Sequence, residues 1–296
     1  MGLRRIRRVP AYVRDLLAFD PREQARHDYE DVFLTSQRDL ASLAPEPLGR
    51  CRLLVLGCGY HYPDVVLYAP VVQRVVGADV LKVYYRDVLA AALVDAARGK
   101  RPVASLLEAA VRWRQYGRYY RHLQPISGVA ADHAGYSLIS YDGRQMPFDD
   151  EAFDIVMSNA VLEHVSDLPA LVQELGRITR PGGISYHLWH NYYSYSGSHL
   201  PERLRLEAPW GHLRGIHRTR GLNRLAPEDV RGIFAQAFRV VALYGVDARH
   251  RKRGVHEGFE FEREDLLTPE IRQELKDLSR DLLLTRAYLI VARKGS

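Results

Sequence analysis

The chain has 296 residues, 47% of them hydrophobic, enough for one large domain with insertions or two small ones. Its formal net charge of +6, carried mostly by arginine, favours acidic partners such as phosphates, nucleic acid or an anionic membrane surface. No apolar run reaches the roughly 18 residues of a membrane span, and two cysteines, Cys51 and Cys58, exclude a disulfide framework and fit a reducing cytoplasm.

Residues 1–48 precede the first strand and read as a helical extension. The opening MGLRRIRRVPAYVRDLLAF is basic but has no continuous apolar core and no small-residue cleavage site, so it is not read as a signal peptide. Leu3, Ile6, Val9, Val13, Leu16 and Leu17 form an approximate apolar stripe among Arg4, Arg5, Arg7 and Arg8. That pattern suits either peripheral contact with anionic lipid or a helix capping the main domain.

Residues 49–296 read as one domain with embellishments. The segment RLLVLGCG (52–59) is a buried strand and its glycine turn, and Asp64 to Ala69 start a short helix behind Pro63. Val71–Val80 is a second strand, which ends near Asp79, 20 residues beyond Gly59. In a doubly wound sheet this spacing sets an acid at the end of the second strand, where a ribose diol can donate to it. Gly57 and Gly59 let backbone approach a ligand that a Cβ would push away. Adenosine-type ligands fit this arrangement, and a nicotinamide dinucleotide shares it.

Residues 81–135 are too long for an ordinary crossover and read as a helical insertion, with helices over Val83–Ala97 and Val103–His122. The second interleaves Arg112, Arg114, Arg118 and Arg121 with Trp113, Tyr116, Tyr119 and Tyr120. Nucleic acid or a sugar phosphate would suit that mixture, and so would a solvated helix packing its aromatics inward. Next, Tyr136–Tyr141 and Phe153–Ser158 read as strands, Asp167 as the N-cap of a helix running through Ile178, and Ile184–Trp189 as a further strand after Pro181-Gly182-Gly183. In parallel α/β sheets ligands sit at the carboxyl ends of strands. Asp142, Asn159, Glu163, His164, His190 and Asn191 all fall there.

Residues 192–225, rich in Tyr, His, Gly and Arg, read as a loop or lid on the ligand face. Pro227–Phe238 is a helix and Arg239–Val246 a strand. A charged insertion over 249–284 follows, with a helical stretch Pro269–Leu284, and Thr285–Arg293 is the last strand.

Taken together, Val55-Leu56-Gly57-Cys58-Gly59, Asp79, Asp142 with Gln145-Met146-Pro147-Phe148, Phe153-Asp154-Ile155-Val156, Val161-Leu162-Glu163-His164-Val165 and Arg180-Pro181-Gly182-Gly183 resemble the class I S-adenosylmethionine-dependent methyltransferases. Among these the chain is similar to the group typified by ubiquinone and menaquinone biosynthesis. The resemblance covers about residues 50–190 and implies an α/β, Rossmann-like, doubly wound sheet of seven strands whose last strand inserts antiparallel. It implies S-adenosyl-L-methionine as cofactor, with Gly57, Cys58 and Gly59 against the methionyl part and Asp79 on the ribose hydroxyls. Asp142 would accept from the adenine amino group, Met146 would pack near the ring, and Asn159 would lie beside the sulfonium.

Two positions depart from the pattern: Val55 stands where the family carries an acid, and His61 where it often carries a third glycine. Ala160 replaces the additional acid that related quinone O-methyltransferases use for a metal, so no metal site is predicted. For the chemistry, His164 and His190 are the candidate bases, with His187, His199 and His212 behind them. No Asn-Pro-Pro-Tyr or Asp-Pro-Pro-Tyr element follows the fourth strand, which disfavours methylation of base amino groups in nucleic acid. The lid aromatics Tyr192, Tyr193, Tyr195 and Trp210 suit a small, glycosidic or lipid-linked acceptor, with O-methylation first. An RNA methyltransferase and a non-catalytic cofactor-binding protein are the alternatives. Oligomeric state is not legible.

Overall fold

A computed structural model describes residues 20–81, 84–97, 103–131, 135–141 and 145–295. The amphipathic stripe over Leu3–Leu17 and the predicted adenine ligand Asp142 lie outside the described residues.

Five strands form the parallel part of the sheet: β1 (Arg52–Leu56), β2 (Arg74–Asp79), β3 (Tyr136–Ser140), β4 (Phe153–Asn159) and β5 (Thr179–His190). Two more, β6 (Arg239–Val246) and β7 (Ala287–Arg293), complete the order β3-β2-β1-β4-β5-β7-β6. β7 runs antiparallel to both of its neighbours, as the resemblance implies.

The apolar runs become strands because both faces of the sheet are covered. In β1, Leu53 and Val55 join one core with Val75, Ile155 and Met157, while Leu54 and Leu56 join the other with Val76 and Val156. Val55 therefore points into apolar packing with Tyr62, Val65 and Tyr68. At the opposite edge from the ligand end, the buried Asp154 carboxylate accepts the Arg52 backbone N–H and lies 2.6 Å from Arg180 Nε. One side chain thus links β1, β4 and β5.

Before β1, the chain forms α1 (Pro21–Arg26), a π-helical stretch His27–Phe33 and α2 (Leu34–Leu43) in unbroken succession. Asp20 caps α1 by accepting from the backbone N–H groups of Arg22 and Glu23. After β1 comes α3 (Pro63–Tyr68), and between β2 and β3 lie α4 (Val88–Ala97) and α5 (Val103–Ser127). Tyr116, Tyr119 and Tyr120 of α5 are buried while Trp113 is half exposed, so the aromatics of this helix mostly pack inward. They explain His61: its ring stacks on Tyr116 at 4.6 Å and meets Tyr119 edge-on. A histidine there serves the wall built by the insertion.

After β4 comes α6 (Leu168–Ile178), with Asp167 accepting from Ala170 N–H as predicted. The Pro181-Gly182-Gly183 segment does not separate this helix from a strand starting at Ile184. β5 begins at Thr179 and carries those residues through a register shift against β4. Between β5 and β6 lie α7 (Glu202–Glu207) and α8 (Pro227–Phe234). The predicted helix Pro269–Leu284 is two short helices, α9 (Pro269–Glu274) and α10 (Arg280–Leu284).

The lid departs from expectation. Tyr195 and Trp210 are almost fully buried in a satellite core with Ile271, Leu275, Leu283 and Leu284. Trp210 Nε1 donates to Leu283 O at 3.3 Å, and Tyr195 OH donates to Glu202 at 3.1 Å. These aromatics hold the two C-terminal insertions together, because a large ring with one polar atom is best buried where that atom finds a partner. No helix among the described residues is long and apolar enough to cross a membrane.

Candidate active site

The carboxyl edge of the sheet carries two cavities with one residue in common. The first, about 340 Å³, is lined by Leu56, Gly57, Asp79, Tyr141, Ala160, Val161, His164 and Leu171, among others. At its floor Gly57 has φ +61° and its N–H donates to Ala78 O at 2.7 Å. A Cβ on Gly57 would collide with the Val161 side chain, so the loop after β4 sits directly on bare backbone. Gly59, at φ +76°, donates its N–H to Asp79 Oδ2 at 2.8 Å, and Leu81 N–H donates to Oδ1 at 3.1 Å. Turn and acid are thereby locked together, and each carboxylate oxygen keeps a lone pair for a further donor.

Cys58 and Met146 are placed differently from expectation. Cys58 is buried, and burial, followed by the neighbouring Asp79 charge, pushes its thiol up to about 12. It contributes backbone to the turn. Met146 is not among the residues lining the cavity. It is 2% exposed in the core with Tyr141 and Leu171, and its N–H donates to Glu174 Oε1 at 2.7 Å.

The second cavity, about 390 Å³, is lined by Asn159, Ala160, Leu188 and His190 from the ends of β4 and β5, by Gln24, His27, Asp28 and Val32 from the N-terminal helices, and by Asp247, Ala248, His250, Arg286 and Ala287. Ala160 belongs to both cavities. It holds φ +55°, rare for a residue with a Cβ, and its N–H donates to Leu188 O at 2.9 Å.

The two candidate bases separate. His164 is exposed on the first cavity, and its Nδ1–H donates to Gly221 O at 3.1 Å. His190 faces the second, with Nδ1 3.1 Å from Glu163 Oε1, which also accepts the His190 backbone N–H at 3.3 Å. Burial works against ionised Glu163, but the contact with His190 outweighs it and holds the carboxyl below its ordinary value. A buried carboxylate against one ring nitrogen orients an imidazole. His187 and His212 are structural. His187 is fully buried between Ser158 Oγ (2.7 Å) and Ser185 Oγ (2.8 Å), and His212 Nε2–H donates to Tyr192 O.

Folding also assembles groups whose spacing along the chain gives no hint of it. His199, at φ +53° in the lid, brings Nε2 to 4.0 Å from Glu163 Oε1, and burial, then His190, lower its pKa to about 4. Ligand atoms of Glu163, His164 and His199 lie within 4.8 Å of one another. A carboxylate and two imidazoles are a donor set that a divalent ion can use. In the sequence only position 160 in the β4 loop bears on a metal, and Ala160 offers no ligand there, whereas the third donor comes from the lid. His27, His250 and Arg286 were likewise missed: each lies in a charged stretch with no motif.

Residues 121–186 match the family model described as methyltransferase domain. The chain is 31% identical over 131 residues to the malonyl-[acyl-carrier protein] O-methyltransferase of Pectobacterium atrosepticum, covering 43% of this chain and 47% of that protein. The same enzyme of Serratia marcescens is 37% identical over 76 residues, covering 24% and 30%. The chain thus spans about half, or less, of the length of these curated relatives. Among solved structures, the complex of the Haloferax volcanii Trm112 methyltransferase activator with a methyltransferase is similar at 17% identity and TM-score 0.49, covering 97% and 98%. An S-adenosylmethionine-dependent methyltransferase from Mesorhizobium loti is similar at 16% identity and TM-score 0.43, covering 87% and 96%. Residues 121–186 thus match a methyltransferase domain, and the sheet order with antiparallel β7 is the one implied by the resemblance to the class I S-adenosylmethionine-dependent methyltransferases.

Proposed function

We propose that the protein transfers a methyl group to an oxygen of a small or carrier-linked acceptor. The observation that carries this reading is the pair of cavities meeting at Ala160, one whose bare Gly57 backbone and Asp79 acceptors suit an adenosine and the other polar and adjacent. The residues of the first fit the cofactor. Gly57 leaves a cradle that a Cβ would fill, and Asp79 keeps acceptor capacity for a ribose diol after taking two backbone donors. When bound, S-adenosylmethionine supplies a methyl group activated on a sulfonium.

The chain's residues divide the remaining work. Gly57, Gly59 and the backbone of Cys58 lie under the cofactor, Asp79 holds the ribose, and Asp142 serves the adenine. Met146 packs behind that wall, and Asn159 at the end of β4 faces the acceptor side. Alignment of acceptor and methyl group is the main contribution, with an effect of up to roughly 7–11 kcal/mol. His190, oriented by Glu163, takes a proton where the acceptor must lose one; His164, on the other cavity, has no such route. O-methylation is favoured by the named activity of the curated relatives. The RNA reading loses its stacking platform, since three of the four α5 aromatics are buried.

Asp79→Ala tests the cofactor assignment. Isothermal titration with S-adenosylhomocysteine is expected to show binding weakened by about 1.5–3 kcal/mol, the scale of hydrogen bonds to a charged group. Unchanged affinity would remove Asp79 from the site, and no binding by the wild type would leave a fold without its cofactor.

A further inference from the structure

The second cavity has an uneven supply of hydrogen-bonding groups. Two acids line it, yet both are already occupied. Asp28 accepts from Gln24 Nε2 at 2.7 Å and from Tyr119 OH at 2.8 Å. Asp247 takes four donors: the N–H groups of Arg249, Arg251 and Glu260, and Arg251 Nε.

The cationic and imidazole side is in the opposite condition. Both ring nitrogens of His250 are buried with no hydrogen-bond partner among the described residues. Its backbone holds φ +58°, a conformation that costs energy in a residue with a Cβ and that tends to persist where function requires it. Arg286 lines the same cavity, and its one ion pair among the described residues is a long one, 3.5 Å to Glu262, whose other oxygen is taken by Ser196. His27 completes the corner with its ring centroid 5.3 Å from that of His250, its own Nδ1 being engaged by Asp31.

We propose that the His250–Arg286 corner of the second cavity binds a carboxylate. A carboxylate accepts from a guanidinium and an imidazole N–H together, and it satisfies a buried donor that is otherwise left unpaired. The inference rests on the reading above, in which this cavity adjoins the bound cofactor. Two sources share the chemistry: a carboxylate on the methyl acceptor, or the methionyl carboxylate of the cofactor.

The test uses Arg286→Gln and His250→Asn, the latter because asparagine tolerates the left-handed backbone at that position. Titration of the full chain with S-adenosylhomocysteine and with 5′-methylthioadenosine, which lacks the carboxylate, reads the cofactor source. Titration of the S-adenosylhomocysteine-loaded chain with acetate, malonate and benzoate, and with their methyl esters, reads the acceptor source. An acceptor carboxylate predicts that an acid binds better than its ester and is weakened about tenfold or more by either variant, with nucleoside affinity kept. A cofactor carboxylate predicts the same loss for S-adenosylhomocysteine and none for 5′-methylthioadenosine. Variants that alter neither, or esters bound as well as acids with nucleoside affinity unchanged, overturn the proposal. If the wild type binds neither nucleoside, the methyltransferase reading fails separately, and the acids titrated alone still decide whether the corner takes a carboxylate.

Discussion

At the scale of single residues, the turn after β1 was legible because glycine and aspartate have few substitutes there. Gly57 is held at positive φ under Val161, and Gly59 is tied to Asp79. Gly57→Ala adds a left-handed penalty and an overlap with Val161, together about 2–4 kcal/mol. We expect a lower urea midpoint and weaker S-adenosylhomocysteine binding, with Val161→Ala in the same chain restoring only the steric part; wild-type stability in Gly57→Ala would contradict the close approach. Side-chain direction was not legible. Cys58 and Met146 sit at positions implied by the family resemblance, yet one turns into the core and the other packs behind the cavity wall. Nothing in the sequence marked His250 or Arg286, whose value depends on which neighbours folding brings to them.

At the scale of elements, apolar runs and caps identified all seven strands and α6. The errors fall where tertiary contacts overrule local pattern. Pro181-Gly182-Gly183 is carried inside β5, the stretch 269–284 breaks into α9 and α10, and the lid aromatics form a satellite core. The β4–β5 pair also buries His187 between two serines, and its pKa is lowered to about 3 by that burial. Burial likewise lowers His61 to about 4, and burial with nearby positive groups lowers His199 to about 4 and His250 to about 3. The unfolded chain binds these protons from about pH 6.5 downward, whereas the folded chain refuses them until about pH 4. Their contribution to stability is complete above that upper value and is lost as pH falls through the window. Asp64, raised to about 7 by burial, acts in the opposite sense, its contribution being lost as pH rises towards 7. Asp28, raised by burial, acts in the same sense as Asp64, and the four imidazoles outweigh these two carboxyls. Urea unfolding at pH 5.5 is expected to give a free energy lower than at pH 7.5 by on the order of 3 kcal/mol; equal values would mean that these imidazoles accept protons in the folded state.

At the scale of the whole molecule, the sheet order brings segments far apart in sequence to one edge. The first cavity is assembled from β1, β2, the segments after β3 and β4, and α6, and the second from the N-terminal helices, β4, β5 and the segments flanking β6 and β7. The first was readable because its motifs are local to strand ends. The second was not, because its walls come from an N-terminal extension and a C-terminal insertion that only the antiparallel β7 brings beside β5. Methyl transfer requires the two to communicate, and Ala160, held at positive φ at the end of β4, is the residue they share. The most direct measurement is a crystal structure of the chain with S-adenosylhomocysteine. The expected result is the ribose diol on Asp79, the adenine against Tyr141 and Leu171, and the sulfur at Ala160 facing the cavity that holds His190. A nucleoside lodged elsewhere, or a sulfur turned away from that cavity, would contradict it.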